Sequence, residues 1–367
     1  MARFVMDAHV HAQRWSPGIV RRGEAFTYRS LEKVIMSDRP WDNSRALLQD
    51  MDRLGINMAA LNIAFNQRNE MIHAQIQKYP DRFVGFTGPV DTQREAYFGQ
   101  EKYDADKAAR ECDYWLSQKG FVGIGEMVSV LPDPDLDVSI DDNLRKMIPL
   151  MEVAQQHKVP ILIHTGCIAY PMMCRLRAVD PVLIDDLAVR FPEVSIIVGH
   201  MGTNSSFTND LPDRARQLAA RHEHVYLETC QAMHDQIERA YLDPQIGADK
   251  LVFGTDWGAS ISYHRVDGKI YAGTPADRPP RTLVLHQDWA TRQMDKIEMP
   301  EEDRAKILGL NFARLCKIDV ESRLRAAQEK QYGAQILNGD VPTDGTWRTL
   351  GGKEYPEAET LEKRGKF

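Results

Sequence analysis

Two histidines, His9 and His11, stand two residues apart in the run Asp-Ala-His-Val-His near the start of the chain. On an extended strand such a pair projects from one face, so both imidazoles can reach a single cation. Taken alone, the pair is as much at home capping a strand or closing local hydrogen bonds. Residues of metal-ligand type recur where later apolar runs end: Glu126 after Gly-Ile-Gly, His164 after Ile-Leu-Ile, His200 after Val-Gly and Asp256 after Gly-Thr. Imidazole nitrogen with carboxylate oxygen and no cysteine suits zinc in an open catalytic site, with manganese or iron as alternatives. A cation held this way lowers the pKa of its water toward about 7 and polarises a carbonyl, while a neighbouring carboxylate and imidazole carry protons. The bland alternative is six unrelated polar residues, each closing a hydrophobic strand. Only a fold that gathers strand ends distinguishes the two.

Eight short apolar, β-branched runs supply such ends. They are Arg3 to Ala8, Ile56 to Ile63, Arg82 to Thr87, Phe121 to Gly125, Pro160 to Ile163, Val194 to Gly199, Val225 to Glu228 and Leu251 to Thr255. Several are continuous rather than alternating, as strands covered on both faces require. Helical spacing fills most of the intervals. In RALLQDMDRLG, Leu47, Leu48, Met51 and Leu54 form one stripe, and Gly55 sits where a left-handed cap belongs. NLRKMIPLMEVAQQHK repeats the pattern behind Asp141 and Asp142 as candidate N-caps, and Pro149 fits only within first turns. The expected architecture is an α/β fold of the (β/α)₈ TIM-barrel type, one domain over residues 1–318. An open doubly wound sheet is the rival, but no Gly-x-Gly-x-x-Gly or phosphate loop follows the first strand. Three inserts, Pro89 to Asp113, Gly166 to Pro181 and Gly258 to Trp289, follow strands and would crowd the mouth where barrel active sites are built. Residues 319–367 form a polar extension, read either as an oligomerisation arm, giving a homo-oligomer, or as disordered.

Composition narrows the partners. The 367 residues are 43% hydrophobic and carry a formal charge of −7, which argues against a general affinity for nucleic acid or anionic membranes. Five scattered cysteines form no Cys-x-x-Cys pair, so neither a disulfide framework nor a zinc ribbon is expected and a reducing cytoplasm fits. No uninterrupted apolar run reaches about 18 residues. A small-molecule substrate is the remaining class of partner.

The strand-end set His-x-His, Glu126, His164, His200 and Asp256, with the closing segment KILGLNFARLCKI, resembles the amidohydrolase superfamily over about Met1 to Ile318. IHTG, GHMG and FGTDW are most similar to the amidohydrolase-related branch that includes aminocarboxymuconate-semialdehyde decarboxylase and γ-resorcylate decarboxylase. The resemblance implies that His9, His11, His164 and Asp256 hold one divalent metal and that His200 acts as acid/base or polarises the substrate. Asp256 would also take a proton from bound water. Glu126 departs from the branch's decarboxylases. Some hydrolases of the superfamily use such a glutamate as a ligand, so His164, His200 and Glu126 are expected to hold a second ion or, failing that, Glu126 is ion-paired in the barrel mouth. Arg14, Trp15, Arg175 and Arg177 are candidate substrate contacts, as carboxylate clamps or ring-stacking groups, and Trp257, directly after Asp256, is a further candidate that either walls the pocket or simply packs. The leading expectation is hydrolysis of a C–N or C–O bond by a metal-activated water. Its alternative is non-oxidative decarboxylation of an aromatic or unsaturated acid, and a barrel serving only as a binding module is a third reading.

Overall fold

A computed structural model of the chain describes residues 4–12, 25–26, 42, 44–63, 67–128, 130–166, 176–203, 210–258, 263–266, 269–272 and 290–329. Each of the eight apolar runs gives a strand, and three of these strands extend past the run to take in His9, Glu126 and His164. The eight are β1 (Met6–Val10), β2 (Met58–Leu61), β3 (Phe83–Thr87), β4 (Phe121–Met127), β5 (Ile161–His164), β6 (Ile196–Gly199), β7 (Val225–Glu228) and β8 (Leu251–Val252). Neighbours in sequence pair in parallel from β1 through β8. The cylinder closes through Ala8 N–H to Phe253 O at 3.0 Å, Asp256 N–H to His9 O at 2.8 Å and His11 N–H to Trp257 O at 2.7 Å. The fold is a (β/α)₈ TIM barrel. A small antiparallel sheet of Ala25–Phe26, Tyr263–Val266 and Lys269–Ala272 stands apart from it.

Two apolar clusters divide the core. The inner one holds Met6, Ala8, Met58, Ala60, Val84, Phe86, Leu162, Ile197, Tyr226 and Val252, with Phe312 of the closing helix packed among them. The outer one lies between strands and helices and includes Val10, Ala59, Leu61, Ile124 and Ile163. Of the three register shifts in the barrel sheet, two bear on the mouth. From Asp7 to Val10 β1 advances three residues while β2 advances two, and from Ile124 to Met127 β4 does the same against β5. An extra residue of this kind re-aims the side chains beyond it. Thus Met6 and Ala8 pack in the inner cluster, yet Val10 belongs to the outer one, and the two histidines flanking Val10 are free to join the barrel mouth.

The helices follow the sequence with local differences. Ser44–Leu54 ends at Gly55 with φ of 71°, the left-handed cap expected there. The stretch from Asn143 to Lys158 is broken into Ile140–Arg145 and Ile148–His157, and Pro149 sits in the first turn of the second helix. The N-cap of the first of these helices is Ser139, whose hydroxyl accepts the Asp142 N–H, rather than Asp141 or Asp142. Most of the insert from Pro89 to Asp113 is also helix. Val90–Tyr97 is followed by Ala105–Leu116, which buries Ala108, Ala109, Cys112 and Leu116 in the outer layer instead of crowding the mouth. At the closing segment, Asn311 donates its side-chain amide to the carbonyls of Ala248 and Leu251, fixing this helix to the start of β8. The charged run from Glu321 continues it as the helix Val320–Glu329, with Val320 and Leu324 packed on the inner cluster. No helix among the described residues is long and apolar enough to cross a membrane.

Candidate metal centre

All six strand-end residues singled out in the sequence meet at the mouth, and all are buried. His9 and His11 arrive from β1, Glu126 from the shifted end of β4, His164 from β5, His200 directly after β6 and Asp256 after β8. His200 and Asp256 occupy the left-handed backbone region, at φ of 60° and 57°. Such residues are uncommon and gather at functional sites, where packing over-determines the backbone.

Their polar atoms form two groups around one carboxylate. His9 Nε2 lies 3.1 Å from His11 Nε2. Asp256 Oδ1 lies 3.7 Å from the first and 3.3 Å from the second. Glu126 Oε2 is 3.3 Å from each of these nitrogens. Its other oxygen, Oε1, is 2.6 Å from His164 Nδ1 and 3.0 Å from His200 Nε2, and those two nitrogens are 3.0 Å apart. Glu126 therefore presents one oxygen to each group.

The donor chemistry fits a divalent cation. His9 Nδ1 faces Glu228 Oε2 at 3.3 Å, and His11 Nδ1 faces Gln67 Oε1 at 3.4 Å. Neutral rings keep their hydrogen on the side of such acceptors, leaving both Nε2 lone pairs aimed at each other and at two carboxylate oxygens. Asp256 Oδ1 is buried without a hydrogen-bond partner, whereas its Oδ2 accepts the Gln231 amide at 2.5 Å. A buried carboxylate oxygen left unpaired is costly unless something positive answers it. Ligand atoms about 2.1 Å from a tetrahedral ion lie about 3.4 Å apart, close to the separations found here.

Electrostatics leads to the same place. Burial opposes a charge on His9, but Glu126 and Glu228 beside it raise its pKa well above the ordinary value. His11 is raised against the same burial by Asp256 and Glu126. Burial works to raise the carboxyls, yet His9 and His164 hold Glu126 well below the usual range, and His11 and His9 do so for Asp256. His164 is lowered, burial being the main cause. Without a cation the mouth thus balances its carboxylates by drawing protons onto β1, a role that a divalent ion would assume.

Comparison with known proteins bears on what stands here. The profile of the family described as amidohydrolase matches residues 6–317. The chain belongs to the amidohydrolase family. It is an enzyme of that superfamily, which uses divalent metals. A γ-resorcylate decarboxylase from Polaromonas sp. (strain JS666 / ATCC BAA-500) is 22% identical over 294 residues, covering 64% of this chain and 85% of that protein. Among solved structures, 5-carboxyvanillate decarboxylase from Sphingomonas paucimobilis aligns with a TM-score of 0.56 at 16% identity, covering 86% of this chain and 99% of its own. A probable 2-pyrone-4,6-dicarboxylic acid hydrolase from Acinetobacter baumannii aligns at 0.52 and 14% identity, covering 86% and 100%. These likenesses share the barrel.

The substrate contacts expected of this amidohydrolase fare differently. Arg14, Trp15 and Arg175 lie outside the described residues. Arg177 is exposed on a short 3₁₀ turn, Leu176–Val179. Trp257 is fully buried in the outer cluster and donates its indole N–H to Asp50 Oδ2 at 2.8 Å. It packs the barrel wall and has no exposed ring face, so the reading of Trp257 as a substrate contact is corrected. Its backbone bridges in parallel to Val10, whose side chain also lies in the outer cluster, which is the physical reason. The sequence reading missed Glu228, Cys230, Gln231 and Gln67. Glu228 carried a usable signal, since it closes β7 as other ligand-type residues close theirs.

Proposed function

We propose that this amidohydrolase is a metal-dependent carboxy-lyase that removes carbon dioxide from an aromatic or unsaturated carboxylic acid. The observation that carries the reading is the buried, unpartnered Asp256 Oδ1 facing the Nε2 atoms of His9 and His11, set in a chain whose curated relative is a γ-resorcylate decarboxylase. His9, His11 and Asp256, whose ligand atoms converge, would hold the ion, zinc or manganese being suited to these donors, while His164 stands in the second group beside Glu126 and His200. When bound, it supplies a Lewis acid that orients the substrate and stabilises charge on its oxygens.

The chain's own residues then handle the proton. Decarboxylation breaks one C–C bond, leaves its electron pair on carbon, and requires a proton there. His200 carries that proton at Nε2, 3.0 Å from Glu126 Oε1, which steadies it between turnovers. Asp256 is held in the ionised form by its histidine neighbours and accepts protons rather than giving them. Burial of all these groups limits competing water at the carbon centre.

Hydrolysis is the second reading, favoured by Glu126 alone. Its two oxygens are divided between His9 with His11 and His164 with His200, a placement suited to bridging two ions. One experiment decides between them. The purified protein is loaded with Zn²⁺ or Mn²⁺, its metal content measured, and hydroxybenzoates and lactones are assayed for labelled carbon dioxide and for acid release. Carbon dioxide, with deuterium entering the product carbon in heavy water, supports the lyase. Acid release from lactones with two ions per chain supports the hydrolase and overturns it.

A further inference from the structure

The seventh strand gives no member of the six-residue set, yet three of the four residues from Glu228 to Gln231 at its end touch three of them. We propose that this corner, from Glu228 to Gln231, is the positioning element of the metal centre. The inference rests on the metal-site reading above and adds residues to it.

Glu228 is fully buried. Its Oε2 faces His9 Nδ1 at 3.3 Å and accepts the backbone N–H of His200 at 2.9 Å, while Oε1 accepts the N–H of Cys230 at 2.9 Å. One carboxylate thus orients the β1 imidazole with Nε2 inward and ties down the loop carrying His200. A methyl group at Gly254 would come 1.8 Å from Glu228 Oε1, so the absence of a side chain on β8's extension is what admits the carboxylate. Cys230 follows, with Sγ 2.7 Å from His200 Nδ1. This contact fixes the ring on the side away from Glu126, to which Nε2 is turned. Gln231 then bends the chain at φ of 57°, and its amide takes Asp256 Oδ2. Only Oδ1 is left toward the histidines.

The three contacts reach three different strand ends, and each occupies the atom that faces away from the cluster. That is the pattern by which outer partners set the orientation and basicity of metal ligands. A corner that merely closed the strand would have no reason to place a carboxylate, a thiol and an amide on three separate site residues.

The test uses the full chain, stripped of metal and titrated with Zn²⁺ against a chromophoric chelator, beside thermal melts of the metal-free and loaded forms. Glu228→Gln is expected to bind zinc about 10–100-fold more weakly, so the stabilisation gained on loading shrinks while the metal-free melt moves little. Gln231→Leu, at a half-buried loop position, is expected to weaken zinc in the same direction and keeps the test open should the first variant not fold. Cys230→Ala is expected to lower kcat with KM held, and Cys230→Ser to restore it. Zinc affinity unchanged in the folded Glu228 and Gln231 variants, or a loss confined to the metal-free melt, overturns the positioning role and leaves the metal centre standing. A parent protein that binds neither Zn²⁺ nor Mn²⁺ overturns both.

Discussion

Along the barrel axis, the same strands build two unlike interiors. The floor is filled by Met6, Met58, Val84, Phe86, Leu162, Ile197 and Val252, closed by Phe312. The mouth is filled by His9, His11, Glu126, His164, His200, Glu228 and Asp256, equally buried. The floor satisfies itself, because close-packed apolar groups need only shape and volume. The mouth does not, because its carboxylates and imidazoles leave a buried oxygen unpaired and draw protons onto β1. The difference teaches that one half of the cavity is specified for stability and the other for a ligand.

The largest separation comes from one substitution in each half. Asp256→Asn removes the charge that answers the cation, and activity is expected to fall by about 10²–10⁴-fold with the metal-free melting temperature preserved or raised. Phe86→Ala is expected to cost about 3–5 kcal/mol, because Phe86 is fully buried and stacks on Phe312 at 5.7 Å between centroids. Activity per folded, metal-loaded molecule should remain. Equal loss of stability in both variants, read by urea unfolding, would erase the contrast between floor and mouth.

Chelation sharpens it further. Since the ion binds only the folded mouth, removing a metal held at about 100–1,000 times its Kd is expected to lower stability by about 3–4 kcal/mol, recovered on adding back Zn²⁺. A melt indifferent to chelator and metal would show that the mouth balances its charges unaided. Binding requires neutral imidazoles, so metal affinity is expected to weaken in acid.

The smallest effect concerns a buried carboxylate outside the mouth. Glu111 accepts the backbone N–H groups of Asp91 and Thr92 at a helix start, and burial pushes its pKa from 4.5 up to about 7. The folded chain therefore holds this proton more tightly than the unfolded one. Its contribution to stability is full below about pH 4.5 and is lost as pH rises toward about 7, by up to about 3 kcal/mol. Glu111→Gln is expected to flatten that slope in urea titrations at about pH 5 and pH 8. A slope that survives in the variant assigns the pH dependence to the mouth instead.

Much of the site was legible because a parallel barrel delivers the ends of all its strands to one rim. His164 and His200 needed only to close apolar runs at β5 and β6 to be placed together. The sequence left Trp257 open between pocket wall and plain packing, and it misplaced the insert from Pro89, for a shared reason. Position beside a ligand, or after a strand, does not say which face a side chain takes or whether a segment coils into the outer layer. Glu228 was passed over although it ends its strand as visibly as Glu126. Its role depends on the space left by Gly254, 26 positions further along the chain.

By itself the sequence determined the eight strands, the closed parallel order and the identity of the groups at the mouth, because apolar run length and strand-end chemistry are local properties. Tertiary structure alone decided which atoms meet. The extra residue in β1 and in β4 turns His9, His11 and Glu126 inward. The corner after β7 turns Glu228, Cys230 and Gln231 onto three other strands. A shift of one residue reverses every side chain beyond it, and nothing in a two-residue period records where that shift falls.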